Sequence, residues 1–126
     1  MKVLILVFLF LASLFASDAM LQASKYEFVS QSIGKGKPYF LEVGAESCRS
    51  CQIMGQMLYK IVQKHPNYNI HFINVAKDRK TAMDLGIGMI PTQIIYDKEG
   101  EEVYRHIGML SNEQISKLFD EHKFKE

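Results

Sequence analysis

The sequence predicts an α/β domain in which helices flank both faces of one central mixed β-sheet. Short apolar runs, rich in aromatic and branched residues, alternate along the chain with amphipathic helical segments. The first two of these runs enclose a helix, which favours a parallel pair of strands. The last two are separated only by a short turn at residues 97–100, which favours an antiparallel pair. A chain of 126 residues provides one such domain and no second core.

The first helix and the first strand are predicted between residues 24 and 43. Apolar residues, Phe28 among them, are spaced so that a helix over residues 24–32 buries one side. The glycines Gly34 and Gly36 then end this helix. The run YFLEV at residues 39–43 is too short for a helix and rich in strand-forming side chains, so we predict a buried strand.

The next segment predicts a βαβ unit. Residues 51–65 repeat apolar side chains at three-and-four spacing, which is typical of a helix packed on a sheet, and Pro66 ends that helix. The run NIHFINV at residues 69–75 then predicts a strand. Because a helix connects the two strands, we expect the second strand to return parallel to the first.

The rest of the chain completes the order α-β-α-β-α-β-β-α. A short helix is predicted at residues 77–85, followed by a strand at residues 92–96. Residues 101–107 form its hairpin partner across the turn. The final helix begins near Ser111, because a serine side chain is suited to cap the first unpaired backbone N–H groups.

Residues 1–19 have the pattern of a secretory signal peptide. A lysine at the second position precedes a long apolar run, and small residues follow it. The run is shorter than the roughly 20 residues that cross a bilayer. We expect cleavage after Ala19, with cleavage after Ala16 and a retained anchor as the alternatives. The domain at residues 20–126 is then exported to an oxidising compartment, where a disulfide forms and persists.

Charge and cysteine content exclude several classes of function. The chain has 15 cationic and 14 anionic side chains, so its net charge of +1 provides no basic surface for a phosphate backbone. We therefore expect no nucleic-acid partner. Two cysteines allow at most one disulfide, which excludes a small domain held together by several bridges.

The two cysteines, Cys48 and Cys51, lie where the first strand passes into the second helix. As a structural staple they would close a four-residue loop, which stabilises by only about 1.9 kcal/mol. As a zinc site they would provide two of four ligands, and the four histidines lack a convincing ligand spacing. As a redox pair they are well placed, because unpaired N–H groups at a helix amino terminus stabilise a thiolate. Arg49 adds a nearby cation.

Several motifs together resemble thioredoxin. They are the segment FLEVGAESCRSC at residues 40–51, the run GMIPT at residues 88–92 and the late Gly108. The resemblance covers about residues 25–122 and is greatest to exported thioredoxin-like domains. It implies the thioredoxin fold and a thiol:disulfide oxidoreductase that uses its dithiol with no cofactor and no metal.

The resemblance also implies roles for individual residues. Cys48 attacks a substrate disulfide and Cys51 resolves the mixed disulfide. The Ile90–Pro91 bond is cis and faces the disulfide, and the Ile90 backbone pairs with an extended substrate. The alternative is that Pro91 merely begins an edge strand.

Glu42 interrupts an otherwise apolar strand, where an unpaired carboxylate is unfavourable. The family keeps a buried acid, usually aspartate, at this offset, where it relays the proton of the resolving thiol. The alternative is a solvated side chain at the strand end. Phe72 occupies the place of the lysine that commonly neighbours this acid. We therefore expect Glu42 to be protonated more readily near neutral pH.

Other positions depart from the family pattern. Arg49 and Ser50 replace the usual Gly-Pro between the cysteines and are candidates for substrate contact, and Gly44 and Ser47 replace aromatic residues. A cation inside the motif stabilises the reduced thiolate and makes the couple more oxidising. Methionine side chains are expected mainly to fill the core, and two of them are also candidates for the floor of a peptide groove. These are Met54, Met57 and Met83, with Met89 and Met109 as the groove candidates.

The sequence predicts an exported oxidoreductase that reduces disulfides of periplasmic proteins or apocytochromes. The resemblance implies a membrane thiol-electron transporter as the electron donor, and we expect a monomer. One alternative is an oxidase or isomerase that introduces or reshuffles disulfides. The inserted helical domain or dimerisation arm of such enzymes is not recognised, which favours reduction. The other alternative is a non-catalytic peptide-binding protein that uses the same fold.

Overall fold

A four-stranded mixed β-sheet forms the centre of the computed structural model, which describes residues 19–126. Its strands are β1 (Tyr39–Gly44), β2 (Asn69–Asn74), β3 (Thr92–Tyr96) and β4 (Glu102–Ile107). They lie side by side in the order β2-β1-β3-β4. Strand β1 is parallel to β2 and antiparallel to β3, and β4 is antiparallel to β3. The predicted signal peptide at residues 1–19 lies outside the described residues except for Ala19.

Helices lie on both faces of this sheet. They are α1 (Tyr26–Ser32), α2 (Arg49–Lys64), α3 (Arg79–Asp84) and α4 (Asn112–Glu121). Helices α2 and α4 pack on one face, whereas α1 and the end of α3 pack on the other. The predicted order of elements and the mixed sheet between two helical layers are therefore confirmed. In the described part of the chain, no helix combines the length and the apolar character needed to span a membrane.

The alternation of side chains along β1 divides the core into two clusters. Phe40 points into the cluster under α2 and α4, together with Met54 and Ile95. Leu41 and Val43 point into the cluster under α1. Each face of the sheet thus has its own apolar core.

Some predicted core residues lie at the surface. Phe28 is 57% exposed, because it lies about 100° round α1 from Val29, which is fully buried. Met83 is 79% exposed, because it lies nearly opposite the buried Thr81 on α3. The prediction that these two apolar side chains belong to the core is wrong. Met54 is fully buried and packs in the core as expected.

The residues just before α1 pack against the domain. Leu21 N donates to Gly55 O at 3.2 Å, and Ser24 N donates to Phe72 O at 2.7 Å. Ala23 forms an isolated parallel bridge with Phe72 of β2. This segment therefore covers part of the outer edge of the sheet beside β2.

Candidate active site

Cys48 is the N-cap residue of α2. Its Sγ accepts a hydrogen bond from the Cys51 backbone N at 3.3 Å, and Ser50 Oγ lies 3.4 Å from the same sulfur. The helix begins at Arg49, two residues before the apolar periodicity predicts, since the Cys48 side chain acts as its cap. The Cys48 sulfur therefore meets the unpaired N–H groups and the positive end of the helix dipole. The predicted location of this sulfur is confirmed.

Cys48 and Cys51 are joined as a disulfide, with their Cα atoms 5.1 Å apart. The two cysteines differ in accessibility, because Cys51 is 1% exposed whereas Cys48 is only half-buried. Arg49 is exposed and Ser50 is half-buried, so both lie at the rim of the pair. A partner sulfur can reach Cys48 from solvent more easily than it can reach Cys51, and this asymmetry suits Cys48 for the attacking role.

Gly44, the last residue of β1, lies directly under the Cys51 sulfur. A Cβ atom at this position would come within 2.7 Å of Cys51 Sγ and within 3.0 Å of Cys51 Cβ. Any side chain here would overlap with the buried cysteine. The glycine that replaces an aromatic residue thus allows Cys51 to pack directly on the strand backbone.

The Ile90–Pro91 peptide bond is cis, as the resemblance implies. In the β1–β3 register the last pair is Val43 with Thr92, so the next positions along the strands are Gly44 and Pro91. The cis-proline loop and the cysteine motif therefore lie at the same end of the sheet, where β1 finishes and β3 begins. Pairing of the Ile90 backbone with a substrate remains a prediction.

Two hydrogen bonds to backbone carbonyls fix this loop. Thr92 Oγ1 donates to Met89 O at 2.6 Å, and Gly108 N donates to Pro91 O at 2.8 Å. The second bond brings the residues after β4 next to the proline. Met89 and Met109 are both exposed, so they are not core residues.

Glu42 is completely buried at the centre of β1. Burial raises the pKa of its carboxyl to about 8, while a hydrogen bond from Gln93 acts in the opposite direction. That bond joins Gln93 Nε2 to Glu42 Oε1 at 3.3 Å. The alternative of a solvated side chain at the strand end is wrong, and the expectation of easier protonation agrees with the raised pKa. The relay of a proton remains a prediction.

Phe72 lies directly opposite Glu42 on β2, at the place predicted from the missing lysine. On the other side Gln93 of β3 lies opposite Glu42 and is also completely buried. The sequence analysis missed Gln93 as a partner. A signal was present, because Gln93 is the single amide in the strand TQIIY, as Glu42 is the single acid in YFLEV.

Metal-ligating side chains do not gather within residues 19–126, where no group of three or more His, Cys, Asp or Glu comes together.

The family model described as a thioredoxin-like domain matches residues 27–123. The chain belongs to the thioredoxin-like family. Together with the Cys48–Cys51 pair, this membership makes the protein a thiol:disulfide oxidoreductase, as predicted.

Individual thioredoxins are similar to this thioredoxin-like protein over most of its length. Thioredoxin from Chlamydia trachomatis is 26% identical over 104 residues, which cover 82% of this chain and 100% of that protein. Thioredoxin from Chlamydia pneumoniae is 31% identical over 78 residues, which cover 62% of this chain and 76% of that protein.

Solved structures show the same fold. Chloroplastic thioredoxin z superposes with a TM-score of 0.72 at 17% identity, covering 83% of this chain and 96% of that chain. Thioredoxin from Fasciola hepatica superposes with a TM-score of 0.65 at 18% identity, covering 77% of this chain and 89% of that chain. The predicted thioredoxin fold is therefore confirmed.

Proposed function

We propose that this thioredoxin-like protein is an exported reductase of protein disulfides. The observation that carries the proposal is the accessible Cys48 sulfur at the amino terminus of α2, bonded to the buried Cys51. Its substrates are disulfides of periplasmic proteins or apocytochromes. The signal-peptide pattern at residues 1–19 supports the export, and the net charge of +1 is consistent with protein rather than nucleic-acid substrates.

The reaction begins from the dithiol form. The Cys48 thiolate attacks one sulfur of the substrate disulfide, so that a Cys48–substrate bond forms and the other substrate sulfur leaves as a thiolate. Cys51 then gives its proton to the Glu42 carboxylate and attacks Cys48 Sγ. The substrate's second sulfur leaves, and two electrons have passed from the dithiol to the substrate. The product is the Cys48–Cys51 disulfide seen in the structure.

Substrate binding uses the end of the sheet at which the cis-proline loop leads into β3. The Ile90 backbone pairs with an extended substrate segment, which gives affinity with little dependence on sequence. The exposed side chains of Met89, Ile107 and Met109 lie on the two chain segments that the Pro91–Gly108 hydrogen bond joins. Adaptable methionine side chains suit a surface that accepts many peptides.

Regeneration needs two electrons for each turnover, and the proton held by Glu42 returns to Cys51 when the disulfide is reduced to the Cys48 thiolate and the Cys51 thiol. We propose that a membrane thiol-electron transporter supplies the electrons by forming a mixed disulfide with Cys48, and that the protein acts as a monomer. The competing direction is oxidation, and the cation of Arg49 beside the motif favours it. A reduction potential near or below that of glutathione supports the reductase, whereas a potential far above it identifies an oxidase or isomerase.

The activity is tested by reduction of insulin disulfides with dithiothreitol as electron source. We expect turnover by the wild type, none by Cys48→Ser, and normal turnover by the control Met83→Ser, whose side chain is exposed on α3. Cys51→Ala is expected to retain substrates covalently on Cys48. A wild type no faster than Cys48→Ser would instead support the non-catalytic peptide-binding alternative.

The export is tested separately. Expression of the full chain in a bacterium, followed by fractionation and amino-terminal sequencing, should give a periplasmic protein that begins at Met20. An unprocessed protein in the membrane fraction would support the retained anchor, and an unprocessed protein in the cytoplasm would contradict export.

A further inference from the structure

A row of side chains crosses the sheet beside the buried cysteine. In strand order it consists of Phe72 on β2, Glu42 on β1, Gln93 on β3 and His106 on β4. Side chains two residues apart on a strand share a face, so Glu42 lies on the face where Gly44 meets the Cys51 sulfur. The row is thus on the side of the sheet that carries α2.

Glu42 and Gln93 are each only partly satisfied by the one hydrogen bond between them. Gln93 Nε2 donates to Glu42 Oε1 at 3.3 Å, whereas Glu42 Oε2 and Gln93 Oε1 are buried and have no partner among the described residues. If the carboxyl is ionised, both of these atoms are acceptors without a donor, which is unfavourable in the interior.

A proton on Glu42 removes both defects at once. A protonated Oε2 becomes a donor, and the unpaired acceptor that belongs to the same two side chains is Gln93 Oε1. With this proton, each of the two side chains has one donor and one acceptor for the other, which is the complement needed for two hydrogen bonds donated in opposite directions.

We propose that Gln93 is a positioning residue that holds the proton of Glu42 in the disulfide form, through two hydrogen bonds donated in opposite directions. The inference rests on the proposed thiol:disulfide exchange. When Cys51 attacks Cys48, the proton that leaves Cys51 passes to the Glu42 carboxylate. In the disulfide form that follows, Gln93 Oε1 accepts this proton's hydrogen bond and fixes the carboxyl beside the cysteine.

The amide serves both protonation states of the acid. When Glu42 is ionised, Gln93 Nε2 still donates to it, so the carboxylate keeps one donor in the interior. The neighbour on the other side is the apolar Phe72, so no cation on β2 shares this role. Two other titratable residues lie on this side of the sheet. His106 is the neighbour of Gln93 on β4, and Cys51 lies on α2. Phe72 thus occupies the position of the missing lysine, whereas the neutral amide of Gln93, on the other side of Glu42, provides the polar contact.

The first test uses the infrared carboxylic-acid band of the oxidised full chain, which needs no substrate. We expect a protonated-carboxyl band near neutral pH that disappears in Glu42→Gln and moves in Gln93→Met, a substitution of similar length without an amide. The band should not move in the control Ile94→Met, which changes the neighbouring residue on the opposite face. Absence of a Glu42 band in the wild type, or a band that Gln93→Met leaves in place, would overturn the proposal. If Gln93→Met fails to fold, the frequency of the wild-type band decides, because a carboxyl that both donates and accepts a hydrogen bond absorbs at lower frequency than one without hydrogen bonds, and a band at the frequency of a carboxyl without hydrogen bonds would overturn the proposal.

The second test follows the attack of Cys51 on a preformed mixed disulfide between Cys48 and a small thiol. Gln93→Met removes the bond that Gln93 donates to the carboxylate and the bond that it accepts from the protonated acid. The bond to the charged form is the stronger of the two, so its loss dominates and raises the pKa of Glu42 further, and fewer carboxylates are available near neutral pH. We expect the pH profile of thiol release to move to higher pH by about one unit in Gln93→Met, a roughly tenfold slower release at a fixed neutral pH. Ile94→Met should keep the wild-type profile.

The two tests separate the two proposals. Equal profiles for wild type and Gln93→Met would overturn the positioning role while leaving insulin reduction intact. Failure of insulin reduction would overturn the proposed function, whereas the infrared band would still report the Glu42–Gln93 pair.

Discussion

The two faces of the central strands β1 and β3 are equally buried and differ in chemistry. Towards α1, β1 and β3 contribute the aliphatic side chains Leu41, Val43 and Ile94. Towards α2, the same two strands contribute Glu42 and Gln93, which are equally inaccessible to solvent. A sheet selected for stability alone would be apolar on both faces. Glu42 and Gln93 lie on the face of the sheet that carries the cysteines, so the two buried polar side chains are next to the site of thiol:disulfide exchange.

The largest effect is expected from Glu42→Gln at alkaline pH. The carboxyl has an ordinary pKa of 4.5 in the unfolded chain and of about 8 in the folded protein. Between these values the folded state holds a proton that the unfolded state has lost, so the stability of the wild type falls as pH rises and levels off above about 8. The full loss is roughly 4 to 5 kcal/mol.

In Glu42→Gln this contribution is absent, and two amides can still exchange hydrogen bonds. We expect the variant and the wild type to be similarly stable at acid pH and the variant to be more stable at alkaline pH. Urea unfolding of the disulfide form across this pH range measures the difference. If the free energies of unfolding of the two proteins changed in the same way with pH, Glu42 would have an ordinary pKa in the folded protein, and the predicted difference between the two faces would be wrong.

A smaller loss, independent of pH, is expected on the apolar face. Leu41→Ala removes a completely buried side chain from the cluster under α1, which destabilises by about 2 to 4 kcal/mol. Urea unfolding at acid and at alkaline pH should give the same difference from the wild type. The control Met83→Ser, at an exposed position, should change stability by less than about 0.5 kcal/mol. A Leu41→Ala effect that varies with pH would show that the two faces are coupled.

Gly44→Ala tests the close contact between the end of β1 and the Cys51 sulfur. The added Cβ would overlap with Cys51 Sγ at 2.7 Å, and overpacking of this kind destabilises by about 1 to 3 kcal/mol. The matched control is Gly88→Ala, because a Cβ at Gly88 meets no atom within 4 Å. We expect the control to remain within about 1 kcal/mol of the wild type. Thermal unfolding of both variants in the disulfide form provides the measurement, and equal effects would remove the argument for a close contact.

The features set by local sequence were predictable. The cap position of Cys48 follows from the strand-to-helix junction, and Phe72 opposite Glu42 follows from aligning the second strand with the family pattern. The cis bond before Pro91 came from the resemblance, since spacing alone allowed an edge strand as well.

The features set by tertiary contacts were not predictable. Gln93 is the partner of Glu42 because the antiparallel register places them opposite each other, and the sequence alone does not define that register for two residues 51 positions apart. Phe28 and Met83 have core-like side chains, but they lie round their helices from Val29 and Thr81, the residues that the sheet buries fully. Hydrophobic periodicity identifies the apolar side of a helix more reliably than it identifies how many of its residues the core covers.

The central claim is that the amino terminus of α2 keeps the Cys48 sulfur anionic in the reduced protein. The most direct measurement is the rate of iodoacetamide alkylation of Cys51→Ala against pH, because Cys48 is then the single thiol of the chain. The account predicts a midpoint well below about 8.5, the ordinary value for cysteine, and a return to that value in denaturant. A midpoint in the folded protein at or above the ordinary value would contradict it.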